Sequence, residues 1–190
     1  MRYFRSGVFA GLLAWFALAL ISSAWWLRSA SAPAIAIIIW SLTAIVMLLW
    51  WRVPAVRSWV DSLPLRTLIA LHLCRFVGFY FLVLARDGRL PEAFAFPAGI
   101  GDIAVAVGAL LLLSIPSLIR SRQTVAVWNV IGLADILLVV IQALRCGLSD
   151  WGSMAELREL PLAMLPSFFV PLILVSHVWI FVRLRQRISQ

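Results

Sequence analysis

The sequence predicts an all-α polytopic membrane protein: six transmembrane helices in a single bundle, forming one domain over residues 1–190. Three observations carry this reading. Of the 190 residues, 64% are hydrophobic and only 13% charged, with a mean hydropathy of +1.03, far outside the range of soluble domains. The apolar residues fall into six long runs, each near the ~20 residues a helix needs to cross a hydrocarbon core of about 30 Å. The connections are short, so sequence neighbours should pack antiparallel.

The first run, residues 8–27, follows Arg2 and Arg5 and precedes Ser29-Ala30-Ser31-Ala32, the outline of a secretory leader. Its length suits a span better than a short leader core. Gly7 and Gly11 offer a small-residue face for packing against the core or a second protomer. The second run, residues 33–51, ends on Trp50 and Trp51. The third, residues 63–85, carries His72 and Arg75 one turn apart. In the fourth, residues 94–115, Pro97, Gly99 and Gly101 are expected to loosen the helix before Asp102 and free backbone groups there. Ala104 and Gly108 form a second small pair. The fifth, residues 124–144, places Trp128, Gly132 and Asp135 at i, i+4 and i+7 on one inward face, with Asn129 beside it. The sixth, residues 160–184, contains Pro161, Pro166 and Pro171. Pro166 and Pro171 deprive the carbonyls of Leu162 and Ser167 of helical partners, so kinks there border a cavity or adjust packing. Residues 147–159 read as a polar surface turn.

Arginine counting sets the orientation. Arg2, Arg5, Arg52, Arg57, Arg66, Arg120, Arg122, Arg183, Arg185 and Arg187 fall on one side, with Asp61 as the acid. Arg28, Arg86, Arg89, Arg145 and Arg158 on the other side are balanced by Asp87, Glu92, Asp150, Glu156 and Glu159. Both termini are expected in the cytoplasm, and a bacterial inner membrane is the expected location. The formal net charge of +8 is thus a topology signal, not a nucleic-acid footprint. Cys74 and Cys146 form no CxxC pattern and lie at different depths, which argues against a disulfide or a thiolate metal site. Most of the tryptophans sit at span ends, as an interfacial belt does. Trp128 and Trp179 lie deeper.

The chemistry concentrates on ionisable residues inside the spans. Each costs roughly 2.5–3.5 kcal/mol at mid-membrane, so each is a functional hypothesis by default. Counting ~1.5 Å per residue from the cytoplasmic ends puts His72 and His177 at nearly the same depth on antiparallel helices. Two such imidazoles are what axial ligation of a b-type haem requires, and a transition metal could use the same pair. Arg75 needs a counter-charge; Asp135 is the depth-matched candidate and Asp102 the second. Such a pair fixes helix register, or lies on a proton or anion path. Gly99-Ile100-Gly101-Asp102 also matches the GxGD string of intramembrane aspartyl proteases. In those families, however, the GxGD aspartate is the later of two, and no PAL motif follows here.

The strings HLCRFVGFYFLVLARDGRLPEAFAFPAGIGD, WNVIGLAD and LPSFFVPLILVSH together resemble a family of small bacterial multi-pass membrane proteins without an established function. The resemblance covers roughly residues 65–180. It implies the helix count and the choice of polar residues, and no activity. Three functions follow as expectations. The first is electron transfer through a haem b or metal held by His72 and His177, beside a polar core of Arg75, Asp102, Trp128, Asn129 and Asp135. The second is conduction of a proton, ion or small solute past Asp102, Asp135 and Arg75, with no cofactor. The third is an accessory subunit whose polar residues serve docking to a membrane-protein partner or a second copy. A membrane enzyme of another kind is the remaining class. In each case the lipid bilayer is the partner and nucleic acid is not.

Overall fold

The computed structural model describes residues 2–186, with side chains from Gly7 to Gln186. The side chains of Arg2 and Arg5, and the whole of Arg187, lie outside the described residues. Among the described residues all regular structure is helical. Six helices are long and apolar enough to cross a membrane: Gly7–Trp25, Ala32–Arg52, Leu65–Arg86, Glu92–Ser114, Arg122–Ser149 and Leu165–Gln186. The all-α, six-span expectation holds. Against the expected bounds, the sixth span starts five residues later, at Leu165, and the fifth departs most in length, at 28 residues. At ~1.5 Å per residue it exceeds the hydrocarbon thickness and must tilt or project. The chain divides into two compact units.

The first unit comprises the chain up to Leu63 together with Ala155–Val175. It contains α1 (Arg2–Trp25), a 3-10 turn (Leu27–Ser29), α2 (Ala32–Arg52) and α3 (Pro54–Ser62), then a 3-10 turn (Ala155–Arg158) and a π-helix (Leu165–Phe169). The sequence reading has α3 as loop. Val53, at φ −102° and ψ 106°, is extended as a residue before proline must be, and Pro54 starts a new helix at its first position. Val60 is buried while Arg57 and Ser58 are exposed, so this short helix is two-faced. The guanidinium of Arg52 lies 4.5 Å from the Trp51 ring centre and that of Arg57 5.6 Å from Trp50, an arrangement suited to a headgroup region. Pro171 cannot donate to the carbonyl of Ser167, and the indole Nε1 of Trp15 donates to that oxygen instead, at 3.0 Å. The Ser23 hydroxyl donates to the carbonyl of Ala163 at 3.0 Å. The Leu162 carbonyl, which Pro166 deprives of its α-helical donor, accepts from Leu165 N–H at 2.9 Å. A Cβ on Gly7 or Gly11 would meet nothing within 4 Å, so among the described residues this glycine pair is not used for close packing.

The second unit comprises Pro64–Met154 and the chain from Ser176 on. Its third span is built from α4 (Leu65–Ala70), a 3-10 stretch (Leu71–Val77) and α5 (Gly78–Arg86). The chain turns at Gly88, whose φ of +69° is the left-handed conformation glycine adopts without strain. Arg89 N–H donates to the Leu84 carbonyl and Gly88 N–H to that of Ala85, a Schellman closure. α6 (Glu92–Ser114), α7 (Pro116–Arg120), α8 (Arg122–Ser149) and α9 (Val170–Gln186, belonging here from Ser176) complete the elements. α7 repeats the device of α3: extended Ile115 followed by Pro116 at the first helical position. α8 is capped by Ser121, whose Oγ accepts from Thr124 N–H at 3.3 Å.

One expectation for α6 is corrected. The helix runs unbroken through Pro97, Gly99 and Gly101, so backbone groups are not freed next to Asp102. The carbonyl that Pro97 leaves without a helical donor is that of Ala93, and the side-chain amide of Gln142 donates to it at 3.3 Å. The glycines serve close approach instead. A Cβ on Gly99 would stand 2.9 Å from the carbonyl oxygen of Gly78, and one on Gly78 would collide with that of Gly99. The third span and α6 thus touch backbone to backbone, which side chains of any size would prevent.

Candidate functional site

The 3-10 stretch positions the site. At three residues per turn, side chains at i and i+3 eclipse rather than rotate away. His72, Arg75 and Gly78 therefore form one straight row, and all three are buried. Gly78 brings α6 close at the end of this row. Arg75 consequently meets Asp102, one turn beyond Gly99.

Arg75 is 1% exposed and its guanidinium donates in three directions. Nε donates to Asp102 Oδ1 at 2.6 Å, Nη1 to the carbonyl of Gly132 at 3.0 Å, and Nη2 to Asp135 Oδ2. The sequence ranks Asp135 ahead of Asp102 as the counter-ion; the structure gives Arg75 both. The Asp102 side chain is 6% exposed and that of Asp135 16%. A Cβ on Gly101 would fall on the Asp135 carboxylate, so Gly101 is the notch in α6 that admits this side chain from α8. The guanidinium stands between the two carboxylates. An aspartyl-protease pair shares a proton directly, so this geometry gives the GxGD string no support.

The histidines form the second half of the site. Their ring centres are 4.4 Å apart, with planes inclined at 47°, and both residues are fully buried. Depth counting does bring them together. Asn129 holds His177 twice: Nδ2 donates to the His177 carbonyl at 3.0 Å, and Oδ1 lies 2.8 Å from Nδ1. The first contact fixes which end of the amide is the donor, so Oδ1 accepts and His177 Nδ1 carries a hydrogen. Neutral His177 then has its lone pair on Nε2. His72 Nε2 lies 3.1 Å from Ser176 Oγ. The remaining ring nitrogens, His72 Nδ1 and His177 Nε2, are buried and have no hydrogen-bond partner among the described residues. Trp128 packs edge-on against His72 at 5.0 Å. Its Nε1 donates to the Val105 carbonyl at 3.0 Å, and Gly108 makes room for it, since a Cβ there would stand 2.7 Å from the indole.

The two halves adjoin at Gly132. Its carbonyl accepts from Arg75, and a Cβ on it would stand 2.8 Å from Cε1 of His177. Every polar-core residue expected from the sequence is therefore in one place. Ser176 and Gly78 were not expected. The spacing of three in His72-x-x-Arg75-x-x-Gly78 is the signal that points to Gly78; nothing marks Ser176 beyond its place before His177. Ring separation also bears on what the imidazoles could hold. Bonds of ~2 Å from one ion to a nitrogen of each ring put the ring centres roughly 4.5 to 6 Å apart, as the angle at the ion opens from right to straight. Haem needs the straight arrangement with a porphyrin plane between. The observed separation is at the closed end of that range.

These features define a class: a multi-pass helical membrane protein whose interior carries one arginine on two aspartates beside an imidazole pair. Residues 32–185 match the family model described as a domain of unknown function (DUF8737). The chain belongs to that family, and the matched stretch includes every residue of the site. No curated protein and no solved structure matches the chain.

Proposed function

We propose that the protein carries a proton across the membrane, with Asp135 as the carboxyl that takes it up and releases it. The observation behind this is the second carboxylate on Arg75. A pair that only fixes helix register needs one acid. Arg75 with Asp102 and Asp135 both ionised sums to −1 inside an apolar segment, where an uncompensated charge is strongly disfavoured. A proton on one carboxylate removes the excess. Asp135 is the more accessible of the two, so it is the one that exchanges its proton, while Asp102 keeps the arginine in place.

The finer placement belongs to the same reading. The protein lies in a bacterial inner membrane with both termini in the cytoplasm; the support for this orientation is the counting of arginines along the sequence, which assigns Arg52, Arg57, Arg66, Arg120, Arg122, Arg183 and Arg185 to the cytoplasmic connections. Purified protein in liposomes with an imposed pH gradient, read by an entrapped pH-sensitive dye, tests the proposal. Flux above that of protein-free liposomes, abolished in a folded Asp135→Asn variant, is the expected result. Flux equal to that of empty liposomes, or unchanged by Asp135→Asn, overturns it.

A further inference from the structure

The short helix α3 turns Val60 inward, while Pro54, Arg57, Ser58 and Asp61 fall at i, i+3, i+4 and i+7 and share its exposed face. That face, together with Trp51 and Ser62, lines an open groove of about 500 Å³, within the ~300–1,000 Å³ of small-ligand sites. One residue separates α3 from the end of α2, which is a membrane span. Trp50 and Trp51 close that span, and indoles at span ends occupy the headgroup region. The groove therefore opens at the level of the phospholipid phosphates.

Its cations are not spent within the chain. Other exposed arginines are: Arg66 donates to the Leu113 carbonyl at 2.6 Å and Arg145 to Gln142 Oε1 at 2.9 Å. Arg52 and Arg57 instead rest against Trp51 and Trp50, and among the described residues neither guanidinium has an ion pair or a hydrogen bond. A guanidinium held against an aromatic face keeps its N–H groups for a phosphate. The Ser58 hydroxyl beside Arg57 makes no hydrogen bond among the described residues either. Arg52, Arg57 and Asp61 sum to +1, the complement of a single phosphodiester. Ser62 Oγ donates to the Trp59 carbonyl at 2.7 Å and keeps lone pairs that can accept from a headgroup hydroxyl. An ammonium headgroup would bring a further cation against the two arginines. On α2, Leu48 lies three residues before Trp51, and both are exposed, which continues the groove as an apolar track suited to acyl chains. Basic sites of this kind at membrane level take anionic lipid headgroups.

We propose that this groove holds one anionic phospholipid with a hydroxylated headgroup, phosphatidylglycerol in class. Arg57 and Ser58 donate to its phosphodiester, and its chains lie along Trp51 and Leu48. The test uses the full chain, purified in detergent and stripped of bound lipid. It is titrated with phosphatidylglycerol, phosphatidylethanolamine and phosphatidylcholine of identical acyl chains, and bound lipid is counted by native mass spectrometry. One phosphatidylglycerol per chain is expected, held about tenfold or more tighter than the other two, the scale of one hydrogen bond to a charged group. This comparison needs no substitution, so misfolding cannot obscure it. Arg57→Gln is expected to remove that preference. Arg120→Gln and Arg122→Gln, at exposed arginines of α7 and α8, are expected to leave it intact. Glycerol phosphate in excess, which offers the headgroup without chains, is expected not to displace the lipid. Equal retention of the three lipids, or tighter holding of phosphatidylethanolamine, overturns the proposal. So does a preference that survives Arg57→Gln or falls equally in the Arg120 and Arg122 variants, which would mark diffuse attraction to surface charge. Displacement by glycerol phosphate would mark a site for free anions and overturns it too. No residue of this groove belongs to the Arg75 cluster, so the proposal stands or falls apart from proton flux.

Discussion

Charge counting at Arg75 makes a sharp stability prediction. Asparagine has the shape of a protonated aspartic acid and cannot ionise, and its oxygen can still accept from the guanidinium. If one carboxyl of the cluster is protonated in the native protein, Asp135→Asn or Asp102→Asn alone leaves a +1/−1 pair, as in the wild type. Each single variant is then expected within about 1 kcal/mol of wild type, the scale of one neutral hydrogen bond. Arg75→Gln leaves two acids facing each other with no cation. Asp102→Asn with Asp135→Asn leaves a buried guanidinium with no anion. Both of these break a buried ion pair from one side, which costs about 3–5 kcal/mol. Reversible denaturant unfolding in detergent micelles, followed by tryptophan fluorescence, gives all four values. Single asparagine variants as damaging as Arg75→Gln would mean that both carboxylates are ionised partners of the arginine, and the excess-charge argument would be refuted.

Two further predictions concern the frame around the site. Gly78→Ala places a methyl against the Gly99 carbonyl and 3.0 Å from Asp102 Cβ; backbone cannot swing aside as a side chain can, so a loss of about 1–3 kcal/mol is expected in the same unfolding assay. Single cysteines introduced at Arg57 in α3 and at Arg86, the last residue of α5, in a background without Cys74 and Cys146, are expected to react with a membrane-impermeant thiol reagent from opposite sides of inverted and right-side-out vesicles. Labelling from the same side would contradict the proposed orientation.

The spans and their inward faces were legible because membrane insertion is decided by length and hydropathy, both local properties. Depth along a helix is equally local at ~1.5 Å per residue, which is why His72 and His177 could be matched before any contact was known. Azimuth is not local. Counting placed Asp135 level with Arg75 and could not show that Asp102 also points at the guanidinium, because that depends on the Gly78–Gly99 contact between two helices. The 3-10 stretch at Leu71–Val77 was hidden for a related reason: an apolar run has too little polar contrast to distinguish a period of 3.0 from 3.6. α3 and α7 fall in the connections between apolar runs, where hydropathy gives no signal, although Val53-Pro54 and Ile115-Pro116 carry a helix start. The partners of Pro97 and Pro171 were out of reach, since Gln142 and Trp15 lie far away in sequence.

Everything proposed for Asp135 depends on the cluster holding one protonated carboxyl at neutral pH. Infrared spectroscopy of the membrane-reconstituted protein reads this directly, through the carbonyl stretch of a carboxylic acid and its shift in deuterated water. The expected result is such a band in the wild type and its loss in both Asp102→Asn and Asp135→Asn, where the remaining acid ionises against Arg75. A wild-type spectrum with no protonated carboxyl would contradict the account.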